Sequence, residues 1–517
     1  MRPFCVTQPR NRGSLSRAIG ALIGGVWLLL QASLVLAAGR TDGKLQLQVV
    51  DAQTGQPLTA RMHLRNSRNR PILPRQANII KIGDFFYIDG QLDLMLRKGQ
   101  YTFELNVGSE YRTRFGHFEI DRYADDTKTI KMNRFANLAD EGWYAADLSL
   151  GETNAEFLAK VLKAEQIHLG VVVDWSLEQD FTTADRRQRQ LVDLVGSKGA
   201  RVGFRRKAVP GCLFFTSLDR DGDPHLSDVS QALPIVVKDI QLAHDTKTNV
   251  VAISPLVSQL PTLLATGGLD AIQLIGTRSV VNTHHVDERK IDSFQFPGER
   301  GAARFAEDVY FQVLECGFRI PPVAGSGASK SGQVVPGASR IYVHCNNGFV
   351  DDDWWDGLSN GRVFVTNGPL LRPIVEGYPP GHIFRLQGKE VLELEIGLEL
   401  ASRESVEYLE IIRDGRVEYD VRLDKFMERG GRLPKLRFDQ SGWFLLRVRT
   451  RNSDFYQRAL TAPYFVEKDG VARISRTAVR FFLDWLDEAD VSEETEPNSR
   501  DWARRFWQQQ LEASNVQ

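Results

Sequence analysis

The residues with the clearest potential for chemistry lie in one short stretch, GWYAADLSLGETN, at residues 142–154. An aromatic turn precedes Asp147, and Ser149 and Gly151 then occupy two positions that would face one bound metal. A hydrolytic metal site needs neutral imidazoles or carboxylates at coordination distance and an open position for water. Serine and glycine do not meet that need, so the ligands either lie elsewhere or have been lost.

Other candidate residues follow predicted strands further along the chain. Asp174 and Trp175 end the apolar strand HLGVVVDW, and Arg278 follows the apolar strand LDAIQLIG. Ser326 lies in a glycine-rich loop, GSGASKSG. The ends of parallel strands carry the sites of α/β barrels, but Asp147 and Asp174 are equally suited to capping helices.

A second group of possible ligands is rich in histidine. His284 and His285 are adjacent and are followed by Asp287. Adjacent side chains on a strand point to opposite faces, so the two histidines do not naturally share a metal and a surface loop is the favoured interpretation. His168 and His344 each lie singly beside a predicted strand, a placement typical of a structural histidine.

Two loops match binding motifs only in part. The acidic segment DRDGDPHLSD, residues 219–228, lacks the glycine and the glutamate that an EF-hand calcium loop requires at fixed positions. Residues 325–332 combine glycines, serines and a lysine without the spacing of a phosphate loop or a nucleophile elbow. An incidental calcium loop and a flexible connecting loop are the corresponding interpretations.

The elements that would position these residues form three regions. From Lys44 onward short runs alternate apolar and polar residues, as in Leu45, Leu47 and Val49, which predicts β-strands. Strands then alternate with helices, which is typical of a parallel sheet, before period-two strands return and helices end the chain. The predicted boundaries are 1–38 for a targeting segment, 39–136 for a β-sandwich, 137–378 for an α/β barrel, 379–470 for a sandwich-like β domain and 471–517 for a helical tail.

Three local patterns predict individual elements. The segment NAEFLAKVLKAEQI predicts an amphipathic helix. Its apolar face consists of Phe157, Leu158, Val161 and Leu162. The Asp414-Gly415 pair predicts a β-hairpin turn. Residues 351–357, DDDWWDG, predict a helix start, with acids near the positive end of the helix dipole and Trp355 packed inward.

The first residues have the order of a secretory signal. Arginines precede a long apolar run that ends in the small residues Ala37 and Ala38. We therefore expect an exported protein, periplasmic or extracellular. The run is also long enough to serve as an uncleaved membrane anchor, which is the alternative and the only membrane contact predicted.

Composition excludes some partners and leaves the cysteines open. The 65 lysines and arginines nearly balance the 66 acids, giving a net charge of -1, so no nucleic-acid partner is expected. Beyond the targeting segment the chain has Cys212, Cys316 and Cys345, an odd number that allows at most one disulfide.

Longer segments resemble known families. GWYAADLSLG is similar to the Gly-Trp-x-x-x-Asp-Leu-His-x-His opening of PHP-domain metallohydrolases of the carbaryl-hydrolase-like (CehA/McbA) family. The likeness continues through RFAEDVYFQVLECGFRIPPVAGSG and WWDGLSNGRVFVTNGPLLRP, over residues 140 to about 490. VVDAQTGQPLTARMHL resembles the opening hairpin of carboxypeptidase-regulatory-like (transthyretin-like) modules.

These resemblances imply a multidomain α/β protein. They imply an N-terminal β-sandwich, a central PHP-type α/β barrel and a C-terminal β-rich domain with a helical tail. The PHP family further implies several His and Asp side chains that hold divalent metals and activate a water molecule for hydrolysis.

The family's ligand positions are substituted throughout this sequence. Ser149 and Gly151 stand in place of the His-x-His pair, and Trp175 stands where the wider family has a histidine. Thr277 and Arg278 replace an Asn-His pair, and the permanent positive charge of arginine is hostile to a divalent metal. The combined loss predicts that the inherited metal site is gone.

Three hypotheses follow. The leading one is an exported, non-catalytic pseudoenzyme without a cofactor that binds a small molecule or a protein. Its pocket would be framed by Asp147, Ser149, Asp174, Trp175, Arg278 and Ser326. The alternative is a hydrolase of esters or phosphoesters with a rearranged zinc or manganese site. Its ligands would come from Asp147, Asp174, His284, His285 and Asp287. The third hypothesis is a structural protein of the cell envelope.

Overall fold

The computed structural model describes residues 43–76, 78–151, 153–178, 199–205, 213–217, 234–245, 247–276, 291–329, 333–428, 432–451, 456–488 and 499–517. The predicted targeting segment and Cys212 lie outside these ranges. Among the described helices none combines the length and the apolarity that crossing a membrane requires. Cys316 and Cys345 are both buried and unbridged.

The N-terminal region consists of strands that enclose one apolar core. The strands are β1 (Gly43–Asp51), β2 (Thr59–Asn66), β3 (Lys81–Ile82), β4 (Phe85–Asp89), β5 (Gln91–Leu96), β6 (Gly99–Asn106), β7 (Arg114–Ile120) and β8 (Ala124–Met132). They pair in the order β7-β6-β2-β4-β5-β1-β8, with β3 beside β4. Side chains of β1 alternate between the core and the surface, as the period-two pattern predicts.

The central region mixes strands and helices after a short 3-10 turn at Ala139–Glu141. The elements are β9 (Trp143–Leu150), α1 (Ala155–Ala164), β10 (Leu169–Glu178), β11 (Ala200–Arg205), β12 (Leu213–Ser217), α2 (Ile235–Asp245), β13 (Thr248–Ala252), α3 (Leu260–Ala265), β14 (Ala271–Gly276), α4 (Gly298–Glu315), β15 (Pro322–Gly325), β16 (Arg340–His344), α5 (Asp351–Ser359) and β17 (Val363–Thr366). Asn154 caps α1 by accepting a 2.8 Å hydrogen bond from the Phe157 amide.

The C-terminal region returns to strands and ends in two helices. The elements are β18 (Leu370–Val375), β19 (Ile383–Leu386), β20 (Leu392–Leu394), β21 (Ile396–Ala401), β22 (Val406–Arg413), β23 (Arg416–Arg422), α6 (Leu423–Glu428), β24 (Leu436–Phe438), β25 (Gly442–Thr450), β26 (Arg458–Thr461), β27 (Tyr464–Lys468), α7 (Arg476–Glu488) and α8 (Ser499–Ala513). Asp414 and Gly415 both have positive φ and turn β22 into β23, which confirms the predicted hairpin.

A single 15-stranded sheet joins the central and C-terminal regions. Its main path runs β15-β14-β13-β12-β11-β10-β9-β16-β17-β26-β25-β22-β23, with β27 beside β25 and β19 beside β27. The central region therefore passes into the C-terminal one through the hydrogen bonds between β17 and β26.

The predicted fold class, a multidomain α/β protein with a central PHP-type α/β barrel, is wrong. The described structure is rich in strands, and its main sheet mixes directions: β12 is antiparallel to both neighbours, and β16 is antiparallel to β9 and β17. No hydrogen-bonded ladder among the described strands joins β15 back to β9, although Gly325 of β15 packs against Ser149 of β9. Alternating strand and helix patterns indicated a parallel sheet, but a buried strand has the same apolar pattern in either direction.

The C-terminal helices complete the core of the central region. Trp507 of α8 is fully buried, and its indole N–H donates a 2.9 Å hydrogen bond to the Pro261 carbonyl of α3. Phe482 of α7 stacks on Trp507 with ring centroids 4.8 Å apart. The segment expected as a tail is thus packed against the main hydrophobic core.

Candidate functional site

Asp147 is a fully buried carboxylate at the centre of the predicted pocket. It lies on β9, and the loop that follows β15 folds over it. Its Oδ1 accepts hydrogen bonds from the amides of Ser326 at 2.9 Å and Ser149 at 3.3 Å. Its Oδ2 accepts from the Gly337 amide at 2.8 Å and from the Ser326 hydroxyl. One side chain therefore fastens two distant loop segments to β9.

These four donors decide what the carboxylate can do. A carboxylate has about four lone-pair positions on its two oxygens, and four protein donors occupy them here. Burial raises the pKa of Asp147, and the four hydrogen bonds oppose that shift. A metal needs a free lone pair on its ligand, so this arrangement does not fit a divalent cation at Asp147.

Ser149 and Gly151, the positions that correspond to the His-x-His pair of the resembled family, are closely packed. A Cβ at Gly151 would lie 2.9 Å from the Cβ of Ser329, and a Cβ at Gly325 would lie 2.1 Å from the Ser149 hydroxyl oxygen. The Ser149 hydroxyl is buried and has no hydrogen-bond partner among the described residues. An imidazole at either position would require the neighbouring loop to move, so the site is not shaped for histidine ligands.

The structure thus brings Asp147, Ser149 and Ser326 together. Only the backbone of Asp174 and Trp175 is described; both lie in β10, directly beside β9. Arg278 lies outside the described residues, as do His284, His285 and Asp287 and the acidic segment at 219–228. Within the described part of the chain, no three His, Cys, Asp or Glu side chains lie close enough to share a metal.

Sequence reasoning missed the contribution of Gly337. This glycine is separated from Asp147 by 190 positions, and it has a positive φ of 70°. The signal for such a residue is weak, because a glycine in a loop before a strand is common and only the fold shows which acceptor its amide meets.

The lone histidines His168 and His344 both lie in packed aromatic surroundings. His168 Nδ1 accepts a 3.2 Å hydrogen bond from the Ala145 amide, and its ring meets Tyr144 edge-on at 5.1 Å. Burial, helped by the nearby charges of Arg340 and Arg134, lowers the pKa of His168 to about 4. His344 lies edge-on to Trp143, and burial lowers its pKa as well.

His168 makes stability depend on pH. The folded state favours the neutral ring, so its contribution is complete above the unfolded pKa of 6.5 and is lost as the pH falls towards 4. This difference between the unfolded and folded pKa of His168 corresponds to about 3 kcal/mol in the free energy of unfolding. We expect the free energy of unfolding to fall less between pH 7 and pH 4 in His168→Gln than in the unsubstituted protein, as measured by urea unfolding. The exposed control His117→Gln should follow the unsubstituted protein; equal slopes in all three proteins would contradict the assignment.

Comparisons with known proteins identify no family. No protein-family model matches the chain, and no curated protein matches it. A crystal structure of Parabacteroides merdae β-glucuronidase is similar at 9% identity with a TM-score of 0.17, covering 80% of this chain and 62% of that one. A calcium-binding mutant of Bacteroides uniformis β-glucuronidase 2 gives 10% identity and a TM-score of 0.18, covering 83% and 58%.

The N-terminal four Ig domains of Dscam1 give 9% identity and a TM-score of 0.12, covering 82% of this chain and 96% of that one. The chain spans less than two thirds of the length of the glucuronidases it matches. Likenesses this weak assign neither a fold nor a function, so the proposals below depend on the residues alone.

Proposed function

We propose that this protein is an exported, non-catalytic binding protein derived from a metallohydrolase-like sequence. The observation that carries the proposal is the saturation of Asp147 by four protein donors. In a hydrolytic metal centre the same carboxylate would direct a lone pair at the metal. Here the carboxylate holds loops together, and the neighbouring positions carry serine and glycine.

The serine and glycine near Asp147 support a change in the role of this carboxylate rather than a loss of structure around it. The carboxylate of Asp147 stays fully buried and hydrogen-bonded, and Ser326 and Ser149 are also at 0% exposure. A site that had simply decayed would leave a buried carboxylate without donors, at a cost of several kcal/mol. On this proposal, protein donors use the lone pairs of Asp147 that a metal would otherwise use.

The competing hypothesis is a hydrolase whose metal has moved towards His284, His285 and Asp287. Elemental analysis separates the two. Protein purified without chelator and dialysed against trace zinc and manganese is expected to retain far less than one metal per chain, and to unfold at the same temperature with and without chelator. Its hydrolysis of p-nitrophenyl esters and phosphoesters should not exceed that of a blank.

About one tightly held metal per chain would overturn the proposal. The decisive variant would then be His284→Ala combined with His285→Ala, which should release that metal if the relocated site exists. His117→Ala, on the exposed face of β7, is the matched control and should leave the metal content unchanged.

A further inference from the structure

A cleft of ≈ 350 Å³ opens where the N-terminal strands meet the main sheet. Its walls come from β2 and β6, from the loops at 335–338 and 366–368, and from the turn at 402–404. The Asp147 site lies behind one of these walls, because the Gly337 amide bonds Asp147 while Gly337 also lines the cleft. The volume falls in the range of clefts that hold small molecules.

Two guanidinium groups in this cleft, those of the buried Arg340 and the part-buried Arg403, form no ion pair with a carboxylate of the described residues. Arg340 donates from Nε to the Gly337 carbonyl at 2.7 Å and from Nη1 to the Glu165 carbonyl at 2.9 Å. Arg403 donates from Nε to the Tyr111 carbonyl at 2.7 Å and bonds the Gly108 carbonyl as well. Carbonyl oxygens orient both groups without neutralising their charge.

A third guanidinium, that of Arg61, also lines the cleft. Its Nε donates to Glu165 Oε1 at 2.7 Å, and the pair is almost entirely buried. The Tyr87 hydroxyl, at 3.3 Å, donates to the same oxygen. The Arg61 guanidinium also packs over the Phe85 ring, 4.9 Å from its centroid, and its hydrogen bond to Glu165 uses Nε and not the terminal nitrogens.

The lining holds equal numbers of arginines and glutamates, and Glu165 is the one fully buried carboxylate among them. Glu165 is committed to Arg61, whereas Glu104 is half-buried and Glu404 is exposed at the rim. Burial lowers the pKa of Arg403 to about 10, and the charges of Arg340 and Arg61 add to the effect while Glu165 opposes it. An anion would relieve this repulsion, and planar guanidinium groups match the oxygens of carboxylates and phosphates.

We propose that this cleft binds a small anion that presents a carboxylate or phosphate group to Arg61, Arg340 and Arg403. Hydroxyl and amide groups of the remaining wall, such as Ser402 and Gln457, suit a hydroxylated body attached to that group. The inference goes beyond the proposed function, because it needs neither the presence nor the absence of a metal near Asp147. Metal content and anion binding are separate measurements, so either proposal can fail alone.

Isothermal titration calorimetry of the purified chain at low ionic strength tests whether the cleft binds an anion. The four probes are inorganic phosphate, citrate, glucose 6-phosphate and glucose. We expect saturable binding of at least one anion, weakening as salt is added, and none of glucose. Binding of citrate alone assigns a carboxylate ligand, and binding of the phosphates alone assigns a phosphate ligand. Failure of all three anions to bind overturns the proposal.

Isosteric charge changes then locate the site. Gln457→Glu adds a negative charge to the cleft with almost no change of shape, and we expect it to weaken anion binding about tenfold. The control Gln508→Glu makes the same change on the exposed face of α8 and should stay within about twofold. Arg61→Gln combined with Glu165→Gln removes the paired charges together and should also weaken binding about tenfold. Unaltered binding in both cleft variants would overturn the assignment of the site.

Discussion

Asp147→Ala is expected to lower the free energy of unfolding by about 4 kcal/mol or more, because each buried donor left without a partner costs roughly 1–3 kcal/mol. Three of the four donors are backbone amides, those of Ser149, Ser326 and Gly337. An amide cannot rotate towards another acceptor as a hydroxyl can. The cavity left by the carboxylate adds to the loss.

Urea unfolding at pH 7 measures this effect. Asp147→Asn retains the shape and one acceptor oxygen, so we expect it to lose less than Asp147→Ala. The exposed control Asp140→Ala, which loses only a bond from the Asn137 amide group, should change stability by less than about 1 kcal/mol. The loss in Asp147→Ala should be the same with and without chelator. A loss that vanishes in chelator would instead identify Asp147 as a metal ligand.

Glu307→Ala is expected to cost about 3–5 kcal/mol, since removing one partner of a buried ion pair leaves the other charge uncompensated. Glu307 of α4 is fully buried and pairs with Arg447 at 2.6 Å and with Arg458. Arg447 also pairs with Glu410, at 2.6 Å. Without Glu307, the side chain of Arg458, which is only 5% exposed, has no carboxylate partner among the described residues.

The same ion pairs join α4 to strands β25 and β26. Removing Glu307 should therefore destabilise these elements locally, in addition to lowering the stability of the whole protein. Hydrogen exchange in Glu307→Ala is expected to accelerate in α4 and β26 before β1 to β8. The control Glu399→Gln breaks an ion pair with Arg372 at a carboxylate that is 74% exposed, and it should cost less than about 1 kcal/mol. Equal losses in the two variants would contradict a special role for the buried network.

Local elements were predictable because their signals are local. The apolar face of α1 is buried as predicted, since helical spacing places its members on one side whatever they pack against. The turn at Asp414-Gly415 needs two residues with positive φ. An Asp-Gly pair is favoured in such turns, so the dipeptide itself predicts the hairpin. Trp355 of α5 is likewise buried as expected.

Strand partners were not predictable in the same way. β9 pairs in parallel with β10, the next strand of the chain, and antiparallel with β16, which lies far along the sequence. Periodicity identifies a buried strand but does not encode its neighbour. The central barrel was inferred from family resemblance and element order, and neither contains the antiparallel direction of β12 or of β16.

The candidate site was predictable only in part for a related reason. The strand-end rule led to Asp147 and Asp174, and the glycine-rich loop supplied Ser326; Asp147 and Ser326 do lie together. Whether a buried carboxylate holds a metal or a loop depends on which donors reach it, and the Gly337 amide reaches it only through the fold. The arginine-lined cleft was missed altogether, because Arg61, Arg340 and Arg403 come from three segments with no common motif.

The packing of α8 against α3 also orders events during synthesis. The core that begins with β9 is closed by Trp507, near the end of the described chain, and β17 finds its partner only when β26 has been made. The central region therefore cannot reach its final state while the C-terminal part is still inside the ribosome. Until α8 has been made, apolar strands of the central region stay exposed to aggregation.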